Sequence, residues 1–402
     1  MRKKASVIAI GNEILMGEIT DTNSTFISRK LFEKGILTVV RLQIPDKRED
    51  IEQALRFCME KSNIIITTGG LGPTNDDITK KTIANFLGRD LVLVDDLKNW
   101  VEGFFQRRGI PMSDVNLSQA EIIEGSRYIM NPIGTAPAII INVGKKKIAM
   151  FPGVPSELYV MFDKFLEGIE GSIPVTTLLR TTGIAESDIY NEVKKDAPQK
   201  IQKIIYYYPT WRGVDLRIVS YDIDLQKDAV NFLKHKFGNY IYSLEEKEIE
   251  EIVGIMLRNK GISISVAESC TGGLVADYIT DVPGSSDYFI GGVVAYSNKS
   301  KINILGVRQN DIDRFGAVSE IVAREMAEGV KSLFNADIGV STTGIAGPTG
   351  ERPGKPLGLV YMAVSYKNET IVKKQIFLSP RKRVKVAAAT FLLNMVREVI
   401  KG

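Results

Sequence analysis

Apolar runs and helical spacings alternate along the first part of the chain. The predicted elements, strand and helix in turn, are Ala5–Ile10, Asn23–Lys34, Leu37–Ile44, Arg48–Lys61, Asn63–Thr68 and Ile78–Leu87. Strands that alternate with helices are typical of a parallel sheet with helices on both faces. Ligands of such sheets bind beyond the carboxyl ends of the strands. We therefore expect functional residues in the loops that follow these strands.

The pattern changes twice further along the chain, which predicts three domains. Residues 1–170 form an α/β domain, residues 171–246 a small α+β domain, and residues 247–402 a second α/β domain. The elements predicted near the C-terminus are Ala317–Phe334, Ala336–Ser341, Leu359–Ser365, Thr370–Leu378 and Arg383–Ile400. The fold class is therefore α/β, with a small α+β module in the middle.

One strand-to-helix turn in the last domain carries a hydroxyl, a thiol and two glycines. The predicted strand Ile262–Val266 leads into Ala267-Glu268-Ser269-Cys270-Thr271-Gly272-Gly273, and a predicted helix begins at Leu274. Backbone N–H groups at a helix start are free to bind an anion or an oxyanion. Ser269 can therefore serve as a nucleophile beside an oxyanion hole. Alternatively, the turn is only a tight connection with a Ser/Thr cap.

Composition narrows the classes of function. The chain has 402 residues, is 44% hydrophobic and 25% charged, and has a net charge of +4. These values predict a folded soluble protein and give no strong nucleic-acid signal. The two cysteines, Cys58 and Cys270, predict no disulfide framework and fit a reducing cytoplasm. The apolar run Ala5–Ile10 is too short for a signal peptide or a membrane span, so we expect a cytoplasmic protein.

The single histidine, His235, limits the choice of a general base. It lies in a predicted exposed helix of the middle domain. A base for Ser269 therefore has to be Lys, Asp, Glu or Tyr. For the same reason, any metal has to be ligated by oxygen. Lys301 is the best candidate base. It lies in the first turn of a predicted helix, where the helix dipole opposes a positive charge, and Ile304 and Leu305 share its face. A surface lysine is the alternative.

Three neighbours of this pair have expected roles. Asn298 caps the helix that carries Lys301. Cys270 is a rival nucleophile, although a buried and inert thiol is the more usual role of such a cysteine. Glu268 is expected either to orient Lys301 or to bind the amide of a substrate.

A second glycine-rich turn follows the predicted strand Asn63–Thr68. It consists of Gly69-Gly70-Leu71-Gly72-Pro73-Thr74-Asn75-Asp76-Asp77. The glycines allow close approach of a ligand, Thr74 and the helix start offer donors to phosphate, and the paired acids suit a hard cation. Alternatively, the acids only favour the helix dipole. Turns of similar composition, at Gly11–Leu15, Asn131–Pro137 and Pro152–Glu157, predict one phosphate- and metal-binding rim.

These turns of the first domain resemble the molybdopterin-binding (MoaB/MogA-like) domain of the competence/damage-inducible CinA family. In that family the domain is associated with metal-dependent hydrolysis of the pyrophosphate of ADP-ribose. The resemblance implies a divalent metal, Mg²⁺ or a similar ion, at Asp46, Asp76 and Asp77. The nucleotide contacts that it implies are Asn12, Glu13, Gly69, Gly70, Gly72, Thr74, Gly134, Thr135 and Gly153. The middle domain resembles the KH-like connecting domain of the same family.

The last domain resembles the CinA C-terminal domain. The matching motifs are Ala267–Gly273, Tyr296-Ser297-Asn298 with Lys301, Gly316–Ser319 and Gly344–Pro348. That family hydrolyses the carboxamide of nicotinamide mononucleotide to nicotinate mononucleotide and ammonia. The resemblance implies that Ser269 is the nucleophile, that Lys301 is the base, and that this site needs no cofactor. The substrate contacts expected there are Thr271, Gly272, Gly273, Tyr296, Asn298, Thr343, Gly344 and Arg381, the last as a phosphate clamp.

The expected protein is thus a cytoplasmic hydrolase with two activities on pyridine nucleotides, and by family resemblance a homodimer. Two other classes of function stay open. The first domain is alternatively a molybdopterin-related nucleotidyl transferase. The whole chain is alternatively a competence-associated factor that catalyses nothing, although its modest net charge argues against nucleic-acid binding.

Overall fold

The structure is a computed structural model that describes residues 3–74, 76–377 and 380–401. Asn75 of the glycine-rich turn and Leu378, the predicted end of a strand, lie outside the described residues. The contacts divide the chain into two compact units, Met1–Pro174 and Val175–Gly402. No helix among the described residues is long and apolar enough to cross a membrane.

The first unit is built on a six-stranded sheet with the order β2-β1-β3-β8-β7-β6. The strands of this unit are β1 Lys4–Ile10, β2 Leu37–Ile44, β3 Ile64–Thr68, β4 Leu91–Leu93, β5 Glu121–Ile123, β6 Arg127–Ile129, β7 Ala138–Val143 and β8 Lys146–Phe151. The sheet was predicted to be parallel, and four of its strands are. β7 runs in the opposite direction to both of its neighbours, β8 and β6, and a tight turn at Gly144 reverses the chain between β7 and β8.

Helices cover both faces of this sheet, as expected. The helices of the first unit are α1 Asn12–Leu15, α2 Thr22–Glu33, α3 Arg48–Lys61, α4 Thr79–Leu87, α5 Asp95–Arg107 and α6 Pro155–Phe165. One core places α3 and α4 residues such as Leu55 and Ile83 against Ile65, and the other places α2 and α6 against the opposite face. The parallel strands β1, β3 and β8 therefore end side by side, and the loops after them share one edge.

The second unit begins with a four-stranded antiparallel sheet of order β10-β11-β9-β12. Its elements are β9 Val175–Thr181, α7 Glu186–Asp196, α8 Gln199–Gln202, β10 Ile205–Pro209, β11 Val214–Ser220, α9 Ile223–Phe237 and β12 Ile241–Ser243. The helices bury one face of the sheet through residues such as Ile189 and Leu233. His235 lies exposed on α9, as predicted.

The rest of the second unit is a five-stranded sheet of order β14-β13-β15-β16-β17, parallel from β14 to β15 and antiparallel beyond. Its strands are β13 Ile264–Glu268, β14 Phe289–Val294, β15 Ile338–Gly344, β16 Leu359–Tyr366 and β17 Glu369–Ile376. Its helices are α10 Ile249–Lys260, α11 Leu274–Thr280, α12 Asn298–Leu305, α13 Gln309–Phe315, α14 Glu320–Phe334 and α15 Arg381–Lys401.

The helix that carries Lys301 differs from its prediction at the start. Ser297, not Asn298, is its cap, because the Ser297 side chain accepts a hydrogen bond from the Ser300 N–H. Asn298 is then the first residue of α12. Lys301 is the fourth residue of α12 and so still lies in its first turn, and the helix begins shortly after the end of β14.

Candidate active sites

Ser269 lies in the turn between β13 and α11. Its N–H donates to the Thr342 carbonyl at 3.0 Å, which ties the turn to the neighbouring strand β15. Gly272 and Gly273 have φ values of 63° and 97°, a left-handed backbone that favours glycine over residues with a side chain. The motif therefore folds into a sharp turn that leaves Ser269 at the carboxyl end of the sheet, where ligands of such sheets bind.

Lys301 is almost completely buried, with 1% of its surface exposed. Its Nζ donates to Ser269 Oγ at 2.9 Å and to the Ala295 carbonyl at 2.6 Å. Burial lowers the pKa of Lys301 to about 8, because an ammonium group loses its hydration in the interior. The alternative of a surface lysine is therefore wrong. A neutral amine at this distance is placed to remove the proton of the serine hydroxyl.

Glu268 has a role that the sequence did not predict. Its Oε2 accepts the N–H groups of Gly273 and Val275 at 2.9 and 3.1 Å, and its Oε1 accepts that of Ala276 at 2.9 Å. Free N–H groups at a helix start attract a carboxylate, so Glu268 closes the N-terminus of α11. It forms no hydrogen bond with Lys301 in the described chain. The Gly273 N–H is therefore already bonded and is not a free donor, which corrects its expected role as a substrate contact.

A cavity of about 220 Å³ lies over the Ser269–Lys301 pair. Its lining residues are Ser269, Cys270, Tyr296, Asn298, Lys301, Ala317, Val318, Thr343, Gly344, Ala346 and Arg381. The structure thus brings together eight residues singled out in the sequence. The walls formed by Ala317, Val318 and Ala346 were not assigned, since small apolar residues carry no signal of chemistry.

Three expected contacts lie outside this lining, namely Thr271, Gly272 and Gly273. Thr271 is fully buried, and its Oγ1 lies 2.6 Å from Thr342 Oγ1 beneath the turn. The hydroxyl pair supports the turn and does not face the cavity. The Gly272 N–H has no protein acceptor in the described part of the chain and is still available to a ligand.

Two other side chains complete the cavity. Burial raises the pKa of Cys270 to about 12, so its thiol holds its proton at neutral pH and is a weak nucleophile beside Ser269. Arg381, in the first turn of α15, donates to the Gly347 carbonyl and to the Tyr296 hydroxyl, both at 2.8 Å. The guanidinium therefore lies at the edge of the cavity, where it can meet an anionic group of a ligand.

A second, larger cavity of about 630 Å³ lies at the carboxyl ends of β1, β3 and β8. The residues expected to bind a ligand that do line it are Glu13, Asp46, Gly69, Gly70, Gly72, Asp76, Asp77, Thr135 and Gly153. Gly69 is required there. Its φ is 104°, and a side-chain Cβ would lie 2.1 Å from the Ile10 carbonyl oxygen.

Three residues that were expected to contact the ligand instead form hydrogen bonds with neighbouring side chains. The Asn12 N–H donates to Asp46 Oδ2 at 3.0 Å. The Thr74 N–H donates to Asp77 at 2.9 Å, and its hydroxyl contacts the carboxylates of both Asp76 and Asp77. The Gly134 N–H donates to the Asn131 side chain at 2.9 Å. None of the three lines the cavity.

Carboxylates dominate this cavity. The acids that line it are Glu13, Asp21, Asp46, Asp76, Asp77 and Glu157, and no Lys, Arg or His is among its described lining residues. Burial raises the pKa of Asp46, and the negative charges of Glu13, Asp76 and Asp77 add to the effect. Asp21 and Glu157 were not predicted as site residues, because each resembles an ordinary acid at a helix start.

The carboxylates fit a divalent cation only in part. No group of three Cys, His, Asp or Glu residues within the described ranges converges as a metal site. However, Mg²⁺ is usually held by one or two carboxylates together with phosphate oxygens of the substrate. Asp46, Asp76 and Asp77 offer ligands of that kind at one cavity.

Comparisons with known proteins agree with this two-part organisation. A family model described as the CinA C-terminal domain matches residues 246–400, and one described as a probable molybdopterin binding domain matches residues 6–171. The chain is 38% identical to putative competence-damage inducible proteins of Desulforudis audaxviator and of Thermoanaerobacter sp. strain X514, in each case across 99% of both chains. A crystal structure of a CinA protein of unknown function from Thermoplasma acidophilum is 36% identical, with a TM-score of 0.39, across 42% of this chain and 98% of that one.

Proposed function

The chain belongs to the CinA family of competence-damage inducible proteins, and we propose that it hydrolyses two different nucleotides at two separate sites. The second unit deamidates nicotinamide mononucleotide to nicotinate mononucleotide and ammonia. The first unit hydrolyses ADP-ribose to AMP and ribose 5-phosphate with the help of a divalent cation. The observation that carries the deamidation is the distance of 2.9 Å between Lys301 Nζ and Ser269 Oγ, two buried side chains at the cavity.

The deamidation begins with proton transfer from Ser269 to neutral Lys301. The serine oxygen then forms a bond to the carboxamide carbon, and the carbonyl oxygen takes up the negative charge. The Gly272 N–H is a donor available to that oxygen, since those of Ser269 and Gly273 are already bonded. The Lys301 ammonium returns its proton to the amide nitrogen, the carbon–nitrogen bond breaks, and ammonia leaves an ester on Ser269.

Water completes the cycle by the same route. Lys301 takes a proton from water, and the oxygen of that water bonds to the ester carbon. The bond to the Ser269 oxygen breaks, and Lys301 returns the proton to Ser269. Nicotinate mononucleotide is released and the enzyme is restored. Tyr296 and Asn298 line the cavity beside the pair, and Arg381 binds the phosphate at its edge.

For the first unit, Asp46, Asp76 and Asp77 would hold the cation, with phosphate oxygens of ADP-ribose as its other ligands. When bound, the cation neutralises phosphate charge and polarises the phosphorus–oxygen bonds. The described lining of this cavity supplies no positive charge of its own, which supports the need for one. Thr74 holds the two adjacent carboxylates in place.

The two activities are tested together. The protein is incubated separately with nicotinamide mononucleotide and with ADP-ribose, each with and without a chelator, and ammonia and AMP are measured. We expect ammonia in both conditions and AMP only without the chelator. If the mononucleotide yields no ammonia, the deamidase assignment is contradicted. If ADP-ribose yields no AMP with any of the divalent metals tested, the ADP-ribose hydrolase assignment is contradicted.

A transferase is the second candidate for the first unit, because residues 6–171 match a probable molybdopterin binding domain. Incubation with molybdopterin and ATP distinguishes the two. Formation of an adenylylated pterin favours the transferase, whereas AMP from ADP-ribose favours the hydrolase.

A further inference from the structure

Glu157 lines the larger cavity, in the first turn of α6 and just after β8. In the sequence it is an ordinary acid that favours the helix dipole. Its Oε2, however, accepts a hydrogen bond from Asn131 Nδ2 at 2.7 Å, from a residue 26 positions earlier in the chain. The side chain is therefore held in one place across the cavity wall instead of extending into solvent.

Asn131 is fully buried and has no hydrogen-bonding capacity to spare. Its Nδ2 also donates to the Ala136 carbonyl at 3.0 Å, and its Oδ1 accepts the N–H groups of Ile133 and Gly134 at 3.2 and 2.9 Å. Each bond fixes the orientation of the amide, because carbonyls only accept and N–H groups only donate. The amide of Asn131 is thus fixed in orientation, and it positions the Glu157 carboxylate.

Gly134 is shaped to fit the same carboxylate. A Cβ at this position would lie 2.5 Å from the Glu157 carboxyl carbon and 2.6 Å from Asn131 Nδ2. Its backbone dihedral angles do not require glycine, so close approach alone explains the residue. The loop from Asn131 to Gly134 is therefore built around Glu157.

Glu157 also differs from Asp46 in the groups that set its pKa. The negative charges of Glu13, Asp76 and Asp77 act on Asp46, whereas the pKa of Glu157 is raised by burial and lowered in part by Asn131. No ammonium or guanidinium group of the described chain forms an ion pair with Glu157. The cavity thus has a group of neighbouring carboxylates suited to a cation and one carboxylate whose surroundings are set by burial and by Asn131. Different environments give carboxylates different roles.

On the basis of the ADP-ribose hydrolysis proposed above, we infer that Glu157 is the catalytic base of the larger cavity and that Asn131 is its positioning residue. Glu157 takes a proton from water, and the water oxygen forms a bond to one phosphorus of the diphosphate. The bond from that phosphorus to the bridging oxygen breaks, and the bridging oxygen leaves with the other phosphate. The proton then passes from Glu157 to solvent, and one water has been consumed for one AMP and one ribose 5-phosphate.

The test is Glu157→Gln, which keeps the size of the side chain and an oxygen that can accept from Asn131. We expect kcat for ADP-ribose with Mg²⁺ to fall about 10²- to 10⁴-fold, the range of general base catalysis, with little change in KM. Calorimetric binding of AMP with Mg²⁺ should be unchanged, because the base acts on water and not on the nucleotide. The matched control is Glu167→Gln, an exposed acid just beyond the same helix, which should retain wild-type kcat.

A second pair of variants tests the positioning. Gly134→Ala should displace the carboxylate and lower kcat without loss of AMP binding, while Gly103→Ala on α5 should not. The inference is overturned if Glu157→Gln retains a kcat near that of the wild type. It is also overturned if Glu157→Gln weakens the binding of AMP and leaves kcat unchanged. If the wild-type protein releases no AMP from ADP-ribose, the proposed function falls first and the role of Glu157 with it.

Discussion

The two cavities carry opposite charge, although both are proposed to bind phosphate esters. The cavity over Ser269 contains Lys301 and Arg381 and no carboxylate among its described lining residues. The larger cavity contains six carboxylates and no basic residue in its described lining. A phosphate group can therefore be bound in two ways, by a guanidinium of the protein or by a cation that the protein holds.

The cavities also differ in the solvent exposure of their charged side chains. Lys301 is buried, and the loss of hydration is what makes it a base near neutral pH. Asp76 is exposed, and its contact with Thr74 lowers its pKa, so it stays charged. Burial thus favours the neutral form of Lys301, whereas exposure and the contact with Thr74 keep Asp76 charged.

The strongest test of this comparison is Ser269→Ala. We expect kcat for ammonia release from nicotinamide mononucleotide to fall at least about 10⁴-fold, because the group that forms the ester is lost. AMP release from ADP-ribose should not change. Ser286→Ala, at an exposed position in a short 3₁₀ helix of the same unit, is the control. Full ammonia release by the Ser269 variant would exclude Ser269 as the nucleophile.

Lys301→Arg tests whether the buried amine acts in its neutral form. Arginine stays charged, so kcat should fall about 10³-fold. In the wild type the pKa of Lys301 lies near 8, below its ordinary value, and the neutral fraction grows as pH rises. The rate of deamidation should thus rise about tenfold per pH unit below that pKa and level off above it. A flat pH–rate profile between pH 6 and 8 contradicts this role.

Removal of divalent metal tests the charge of the larger cavity. We expect chelation to weaken AMP binding about 10²-fold, because phosphate would then face carboxylates alone. Binding of nicotinamide mononucleotide to the Ser269→Ala protein should be insensitive to the chelator. Calorimetry with both ligands measures the difference, and equal AMP affinity with and without metal would remove the contrast between the sites.

Arg381→Ala tests how the smaller cavity meets phosphate. Loss of a charged hydrogen bond should lower kcat/KM for nicotinamide mononucleotide about 10- to 30-fold, in line with about 1.5–2 kcal/mol. Nicotinamide riboside, which lacks the phosphate, should be hydrolysed equally by variant and wild type. Arg383→Ala, on the same helix, is the control. Equal losses for both substrates would mean that Arg381 supports the cavity and not the phosphate.

The candidate site was predictable where chemistry and spacing coincide. Ser269 follows a strand and precedes two glycines. His235 is the single histidine of the sequence, which makes Lys301 the best candidate base for Ser269. The contact between them was not predictable from spacing, because a lysine on a helix reaches solvent as readily as it reaches a serine. The role of Glu268 was missed because the sequence does not show which way a side chain turns at the end of a strand.

The sequence by itself determined the order of strands and helices, the turns after them and the residues able to do chemistry, because these depend on local propensity and short spacings. Only the tertiary structure decided that α12 buries Lys301 against Ser269, and that Asn131 holds Glu157 in the larger cavity. Burial and long-range hydrogen bonds set the pKa values of Lys301 and Glu157, and both effects arise from residues that are far apart in the chain.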